Sequence, residues 1–366
     1  MKVGLFWHKL QSKVNLILED LDMTENSYYG QEEHGPYELI DIGTLELEEG
    51  GLISNCQLAV VTHGKLNAKK DNAILVTTWY SGTSKIMEDV YIGSGRALDP
   101  DKYFIVIVNQ IGDGLSTSPH NSDGASFPKV RIGDDVRAQH KLLTETFGIT
   151  SLALVVGGSM GAQQTYEWAV RYPDMVQRAA PIAGTAKNTE HDFLYTETLI
   201  DAITTDPKFH NGDYVDSTEV VAGLRRHAKL WTVMGWSTEF FRQNRHQALG
   251  FESMQTFLDE FMTGYFAPMD PNNLLCMAWK WQHADVSRHT GGDLTAALAR
   301  ITAKTYVMPI SHDMFFPATD CKVEQQLIPD SKLKIINSID GHLALFGTDS
   351  NCQAQIDTML KELLAT

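Results

Sequence analysis

At 366 residues the chain is long for one simple domain, and it fits one large α/β domain with a sizeable insertion, or two domains. Hydrophobic residues at 43% and charged residues at 21% describe a globular chain able to bury a substantial core. A net charge of −16 repels polyanions, which excludes nucleic acid as a natural partner and makes small-molecule chemistry the default.

The first segment, MKVGLFWHKLQSKVNLILEDLD, lacks the unbroken apolar stretch and small-residue cleavage site of a signal peptide. Residues 1–35 read as a loosely attached leader of unassigned role. No run approaches the ~18 apolar residues of a membrane span, so no membrane is expected and the reading is cytoplasmic. Cys56, Cys276, Cys321 and Cys352 are scattered without a CxxC pair, which argues against a zinc site and a disulfide framework. No metal or cofactor is expected.

Three short apolar runs come next: AILVTTW (73–79), YFIVIVNQ (103–110) and LALVVGG (152–158). Their β-branched, nearly continuous apolar character suits the interior of a parallel sheet covered on both faces. Between the last two, residues 134–148 place Val136, Leu142, Leu143 and Phe147 at roughly helical spacing before Gly148, so the unit reads strand–helix–strand. Residues 159–173 read as a helix ended by Pro173, and 176–184 as the next strand. Residues 186–296 break the rhythm: Trp231, Trp236, Trp279 and Trp281 fall there with five methionines, in a helical pattern. This stretch reads as a lid inserted in the sheet domain (36–185 and 297–366), with an independent helical domain as the alternative. TYVMPIS (305–311) and KLKIINS (332–338) are two further strands, and residues 352–364 a closing helix.

The sharpest chemical signal is Gly157-Gly158-Ser159-Met160-Gly161, a G-x-S-x-G match between a buried strand and a helix. Flanking glycines allow the tight turn that lifts Ser159 into the open, and the helix start points unpaired N–H groups, that of Met160 included, at a developing oxyanion. A second oxyanion donor is expected after the strand at 73–79, at Tyr80 in TTWYSGTS. In the α/β-hydrolase fold that this context implies, the acid and base follow the nucleophile in chain order. Asp313 directly follows a late strand, and His342 lies in SIDGHLALFG before the last helix. Asp320, Asp330 and Asp340 compete for the acid, on a helix, in a turn, and too close to His342 respectively. The expected relay has His342 as base and Asp313 fixing its tautomer.

Four stretches, HGKLNAKKDNAILV (63–76), GASFPKVRIGDDVRAQHKLL (124–143), GGSMGAQQTYEWAVRYPDMV (157–176) and MDPNNLL (269–275), resemble homoserine O-acetyltransferases. From about residue 36 onward, the resemblance implies an α/β-hydrolase core, a helical lid that also makes a homodimer, and a ping-pong acyl-serine mechanism. It supports Ser159, Asp313 and His342 as the triad. One departure is decisive for the acceptor. The family carries aspartate after its base, where it meets the homoserine ammonium; here the residue is Leu343, and a desolvated unpaired charge costs several kcal/mol. The family's arginine before its D-x-N-x-x-L stretch is replaced around Pro268-Met269. Its carboxylate-gripping lid arginine survives as Arg225 or Arg226, or both are solvated lid residues.

The chain therefore looks like the esterase branch of that family, in which water resolves an acyl-serine formed from a short-chain, acetate-type ester. Trp79, Tyr80, Leu343 and Trp231 are candidates for an apolar substrate pocket, with core packing as the alternative. An O-acetyltransferase acting from acetyl-CoA on homoserine or another hydroxyl is the second enzymatic reading, and a non-catalytic binding protein the third.

Overall fold

The computed structural model describes residues 26–366. The strands are β1 (Glu38–Asp41), β2 (Leu45–Glu46), β3 (Leu52–Ile53), β4 (Gln57–His63), β5 (Ala73–Thr77), β6 (Phe104–Val108), β7 (Leu154–Gly158), β8 (Arg178–Ile182), β9 (Lys304–Val307) and β10 (Ser331–Leu333). Eight of them form one sheet in the order β1-β4-β6-β5-β7-β8-β9-β10, and β2 pairs with β3 in a separate hairpin. Within this sheet the described β1–β4 and β4–β6 pairs are antiparallel, and the remaining pairs, joining β6, β5, β7, β8, β9 and β10 in that order, are parallel. This is the α/β-hydrolase fold with a mostly parallel central sheet. β5 and β7 are buried at every position, because helices cover both faces and leave no polar side to alternate with.

The apolar runs at 73, 103 and 152 became central strands, each trimmed by one to three residues where the chain leaves the ladder. β1 and β4 escape the run-based reading: QLAVVTH is flanked by polar residues, and ELID is largely exposed at the sheet edge. The helix expected over 134–148 runs from Ile132 to Lys141 and continues as a π-helical turn, Leu142–Thr146.

Residues 186–296 are helical, with long helices at Glu190–Thr204, Val221–Gly235 and Pro271–Gln282 and a π-helical stretch at Phe257–Thr263. One apolar core runs without a break from the sheet into these helices. Two buried polar anchors tie them down. Lys280 Nζ, fully buried, donates to the Ile111 carbonyl 2.6 Å away and pairs with Asp135. Where the chain leaves the core, Lys187 and Asp285 form an antiparallel bridge, and the Glu324 carboxyl oxygens accept the N–H groups of Ala186 and Lys187 at 2.7 and 3.1 Å.

The expectation of a loose leader fails for residues 26–35. Tyr29 is buried, stacks on His120 at 4.3 Å and accepts a hydrogen bond from the Asp270 N–H, while Asn26 donates to the Pro268 carbonyl. A fixed aromatic side chain and paired backbone groups hold this stretch, not its composition. The rest of the expected leader, residues 1–25, lies outside the described residues.

Burial pushes the Glu324 carboxyl from an ordinary 4.5 up to about 8. The folded state thus holds this proton more tightly than the unfolded one, so the group's contribution to stability is full below pH 4.5 and is lost as pH rises through about 8. Glu324→Gln cannot titrate. The melting temperature of the wild type minus that of Glu324→Gln is expected to fall between about pH 5 and about pH 9. A pH-independent difference would contradict the assignment.

Candidate active site

β7 ends in Gly157-Gly158, and the helix Met160–Arg171 begins one residue after Ser159. Between them Ser159 sits at φ 55°, ψ −124°, a left-handed backbone that costs a non-glycine residue of order 1–3 kcal/mol. The surroundings force it. Ser159 N–H donates to the Ile182 carbonyl at 2.9 Å, and the Ser159 carbonyl accepts from Ala162 and Gln163. Strand and helix approach too closely for side chains: a Cβ on Gly161 would lie 2.5 Å from the Thr77 carbonyl oxygen, and one on Gly184 2.8 Å from that of Ser159. Thr77 Oγ1 then ties β5 to the helix by donating to the Gly161 carbonyl at 2.8 Å.

Ser159, His342 and Asp313 form one hydrogen-bonded chain. His342 Nε2 lies 2.9 Å from Ser159 Oγ and His342 Nδ1 lies 2.7 Å from Asp313 Oδ2. The other Asp313 oxygen accepts the N–H groups of Phe315 and Phe316 at 2.8 and 3.1 Å, which aims the carboxylate at the ring. Phe315 meets the imidazole edge-on at 4.8 Å. All three polar residues are buried, so the relay is shielded from bulk water. Such a chain can take a proton from Ser159 Oγ and stabilise the resulting imidazolium. The competing acids are placed elsewhere. Asp340 pairs with Arg245 and accepts from Thr348, Asp320 lies on the helix Ala318–Gln325, and Asp330 is exposed. His312 is exposed and faces the Ser338 carbonyl.

The main-chain N–H groups of Tyr80 and Met160 meet no acceptor among the described residues, which leaves both open to an oxyanion. A small cavity with apolar walls is lined by Trp231, Phe261, Met262, Tyr265, Phe266, Leu343 and Phe346. Leu343 and Trp231 thus line it, beside the base. Leu343 fits because residue 235 is glycine, whose Cβ would lie 2.9 Å from the leucine side chain. Trp79 is one layer back, against Phe346, Tyr91 and Gly158.

Arg225 is a correction. It is half exposed and ion-paired with Asp259 on the outer side of the lid, so it lines no part of the cavity. Arg226 spends its guanidinium on the Ala202 carbonyl. Both arginines are held by partners available on neighbouring lid helices, a pairing that local sequence does not reveal. Residue-by-residue reading also missed Gln110 and Gln164, whose amides both donate to the Thr78 carbonyl and fix the exit of β5. It missed His227 as well, which reaches the hydroxyl of Tyr80. Single buried amide and imidazole groups, on a helix or in a loop, carry no spacing signal.

A family profile for the alpha/beta hydrolase fold matches residues 82–347. The chain belongs to this family. It is 69% identical over 345 residues to an ethyl acetate hydrolase of Pseudomonas veronii, covering 93% of this chain and 99% of that one. The crystal structure of an acetylester hydrolase from Corynebacterium glutamicum superposes with a TM-score of 0.93 at 58% identity, over 94% of this chain and all of that one. A homoserine O-acetyltransferase of Thermobifida fusca is 33% identical over 353 residues, covering 88% and 91% of the two chains. Within the α/β hydrolases the chain thus lies nearer to these esterases than to this transferase, as the leucine after the base led one to expect.

Proposed function

We propose that this α/β hydrolase is a carboxylic ester hydrolase that cleaves short-chain acetate-type esters through an acyl-serine. Ser159 Oγ attacks the ester carbonyl while His342 Nε2 takes its proton, and Asp313 holds the imidazole in the tautomer that leaves Nε2 free to accept. The N–H groups of Tyr80 and Met160 receive the oxyanion. His342 returns the proton to the leaving alcohol, then activates the water that releases acetate and frees Ser159. The observation that carries the reading is the continuous Ser159–His342–Asp313 hydrogen-bond chain beside a small apolar cavity. The relatives named for ethyl acetate and acetyl ester hydrolysis support the substrate class.

The acceptor follows from the cavity wall. Leu343 and six aromatic or thioether side chains offer no carboxylate to an ammonium, so an uncharged alcohol part and then water fit better than homoserine. The similarity to a homoserine O-acetyltransferase makes acetyl transfer the reading to be tested against. We further place the protein in the cytoplasm, which its four unpaired cysteines support. Among the described residues no helix is long and apolar enough to cross a membrane. A homodimer built on lid helices is the third element of the proposal, supported by the exposed Phe193, Leu194, Val221 and Val233 of the two helices Glu190–Thr204 and Val221–Gly235.

Ser159→Ala is expected to lower ethyl acetate turnover by at least ~10³-fold, and a serine-directed phosphonate should label Ser159 in the wild type. Labelling of another residue, with activity kept in Ser159→Ala, rules the triad out. Wild-type enzyme supplied with acetyl-CoA and homoserine is expected to make no O-acetylhomoserine. Leu343→Asp places an unpaired charge where an apolar wall stood. Losing about half of a leucine's burial energy, ~1.4 kcal/mol, lowers kcat/KM for ethyl acetate by about 10-fold. Homoserine acetylation by the wild type, measured by mass spectrometry, would overturn the esterase reading. Light scattering at micromolar concentration should give the mass of a dimer, and a monomer there removes that part of the proposal.

A further inference from the structure

The loop that follows β5 is held from two sides. On the core side, Gln110 and Gln164 fix the Thr78 carbonyl, at 2.8 and 3.0 Å. On the lid side, Tyr265 Oη donates to the Ser81 carbonyl at 2.8 Å. Between these points lies Tyr80, whose buried side chain extends away from the sheet. Its hydroxyl lies 2.9 Å from His227 Nε2 and 3.0 Å from the Leu274 carbonyl oxygen. His227 and Leu274 belong to the two lid helices Val221–Gly235 and Pro271–Gln282.

The proton count settles who donates. Tyr80 has one hydroxyl proton, and the Leu274 carbonyl can only accept, so that proton goes to Leu274. The hydroxyl oxygen must then accept from His227, which makes His227 the neutral tautomer with hydrogen on Nε2. Its Nδ1 meets no partner among the described residues, so no acceptor there calls for a proton on that nitrogen. Complete burial pushes the His227 imidazole down to about 3, so it stays neutral and keeps this donor at neutral pH. The ring is wedged between aromatic groups: it stacks against Tyr80 at 5.8 Å and meets Phe266 edge-on at 4.6 Å.

We propose that His227 is a positioning residue for the oxyanion hole: through the Tyr80 hydroxyl it holds the Tyr80 main-chain N–H where the oxyanion will form. This rests on the acyl-serine reading above. The consequence is that the lid does more than cover the site. A residue of the lid completes the electrostatic machinery of the core, and a lid that shifts takes one oxyanion donor with it. Loss of a whole oxyanion donor costs ~10²–10³ in kcat; a donor that is present but loosened is expected to cost about 10-fold.

The test uses the full-length enzyme with ethyl acetate and compares His227→Leu, Tyr80→Phe, the double variant and His227→Gln, with Ser159→Ala as control. The glutamine amide N–H can take the place of Nε2–H, while leucine fills the volume without a donor. His227→Leu and Tyr80→Phe should each lower kcat about 10-fold with KM within about twofold, because the interaction acts on the transition state and not on ground-state binding. The double variant should be no slower than either single one, since both cut the same link. His227→Gln should recover most of the rate lost in His227→Leu. Affinity for a trifluoromethyl ketone, which forms an oxyanion on the serine, should fall in step with kcat. Multiplying single effects, a change confined to KM, or an unchanged kcat in Tyr80→Phe each overturns the proposal. Should His227→Leu fail to fold, Tyr80→Phe and the ketone affinity decide it alone. Activity surviving in Ser159→Ala would instead bring down the acyl-serine reading beneath it.

Discussion

The turn at Ser159 is the constraint around which the site is arranged. A serine at φ 55° is unfavourable in isolation, and it persists because β7, β8 and the helix Met160–Arg171 leave the chain no other route. Its N–H is committed to Ile182, its carbonyl to the first turn of the helix, and the glycines at 157, 161 and 184 permit the close approach of backbone to backbone. One consequence is directional. The side chain is thrust off the end of the sheet toward His342, and the helix N-terminus starts at the same point. The Ser159 hydroxyl and the Met160 N–H, the nucleophile and an oxyanion donor of the proposed reaction, are therefore placed by a single backbone turn.

The relay is rigid for a related reason. Every oxygen of Asp313 has a partner: one accepts from His342, the other from two consecutive main-chain N–H groups. A buried carboxylate satisfied in this way cannot rotate without losing a charge-assisted bond. Phe315 and Phe316, which supply those N–H groups, also pack their rings against the imidazole. Backbone and side chain of the same two residues thus orient the Asp313 carboxylate and confine the His342 ring. Asp340, two residues from the base, is drawn aside by Arg245 and Thr348.

Lid and core are one packed body. Trp231 and Trp281 of the lid pack on Phe315 of the core, and Lys280 reaches across to Asp135 and the Ile111 carbonyl. A buried lysine is costly unless fully paired, so this contact selects one seating of the lid more than it adds stability. That seating places Gly235 over Leu343 and closes an apolar cavity over the base. The small volume and the absence of polar lining both favour a short, uncharged ester.

The sequence by itself determined the parts that depend on local patterning. Buried parallel strands announce themselves as continuous apolar runs, and a serine between glycines at a strand–helix junction marks a strained turn, because few residues tolerate that backbone. Their places after two late strands made Asp313 and His342 candidates, and the fold brings both into one hydrogen-bonded chain with Ser159. The tertiary structure alone decided what depends on groups distant in the chain. β4 is a strand because β6 offers it a ladder, and the edge strand β1 is one because β4 does so in turn. Residues 26–35 are ordered by Asp270, Pro268 and His120, more than 80 positions away. Arg225 turned outward because Asp259 waits on a neighbouring helix turn. His227, 147 positions along the chain, became a partner of Tyr80 only when the lid folded onto the loop. Periodicity records which face of an element is apolar; it does not record which polar atom will be opposite when two such faces meet.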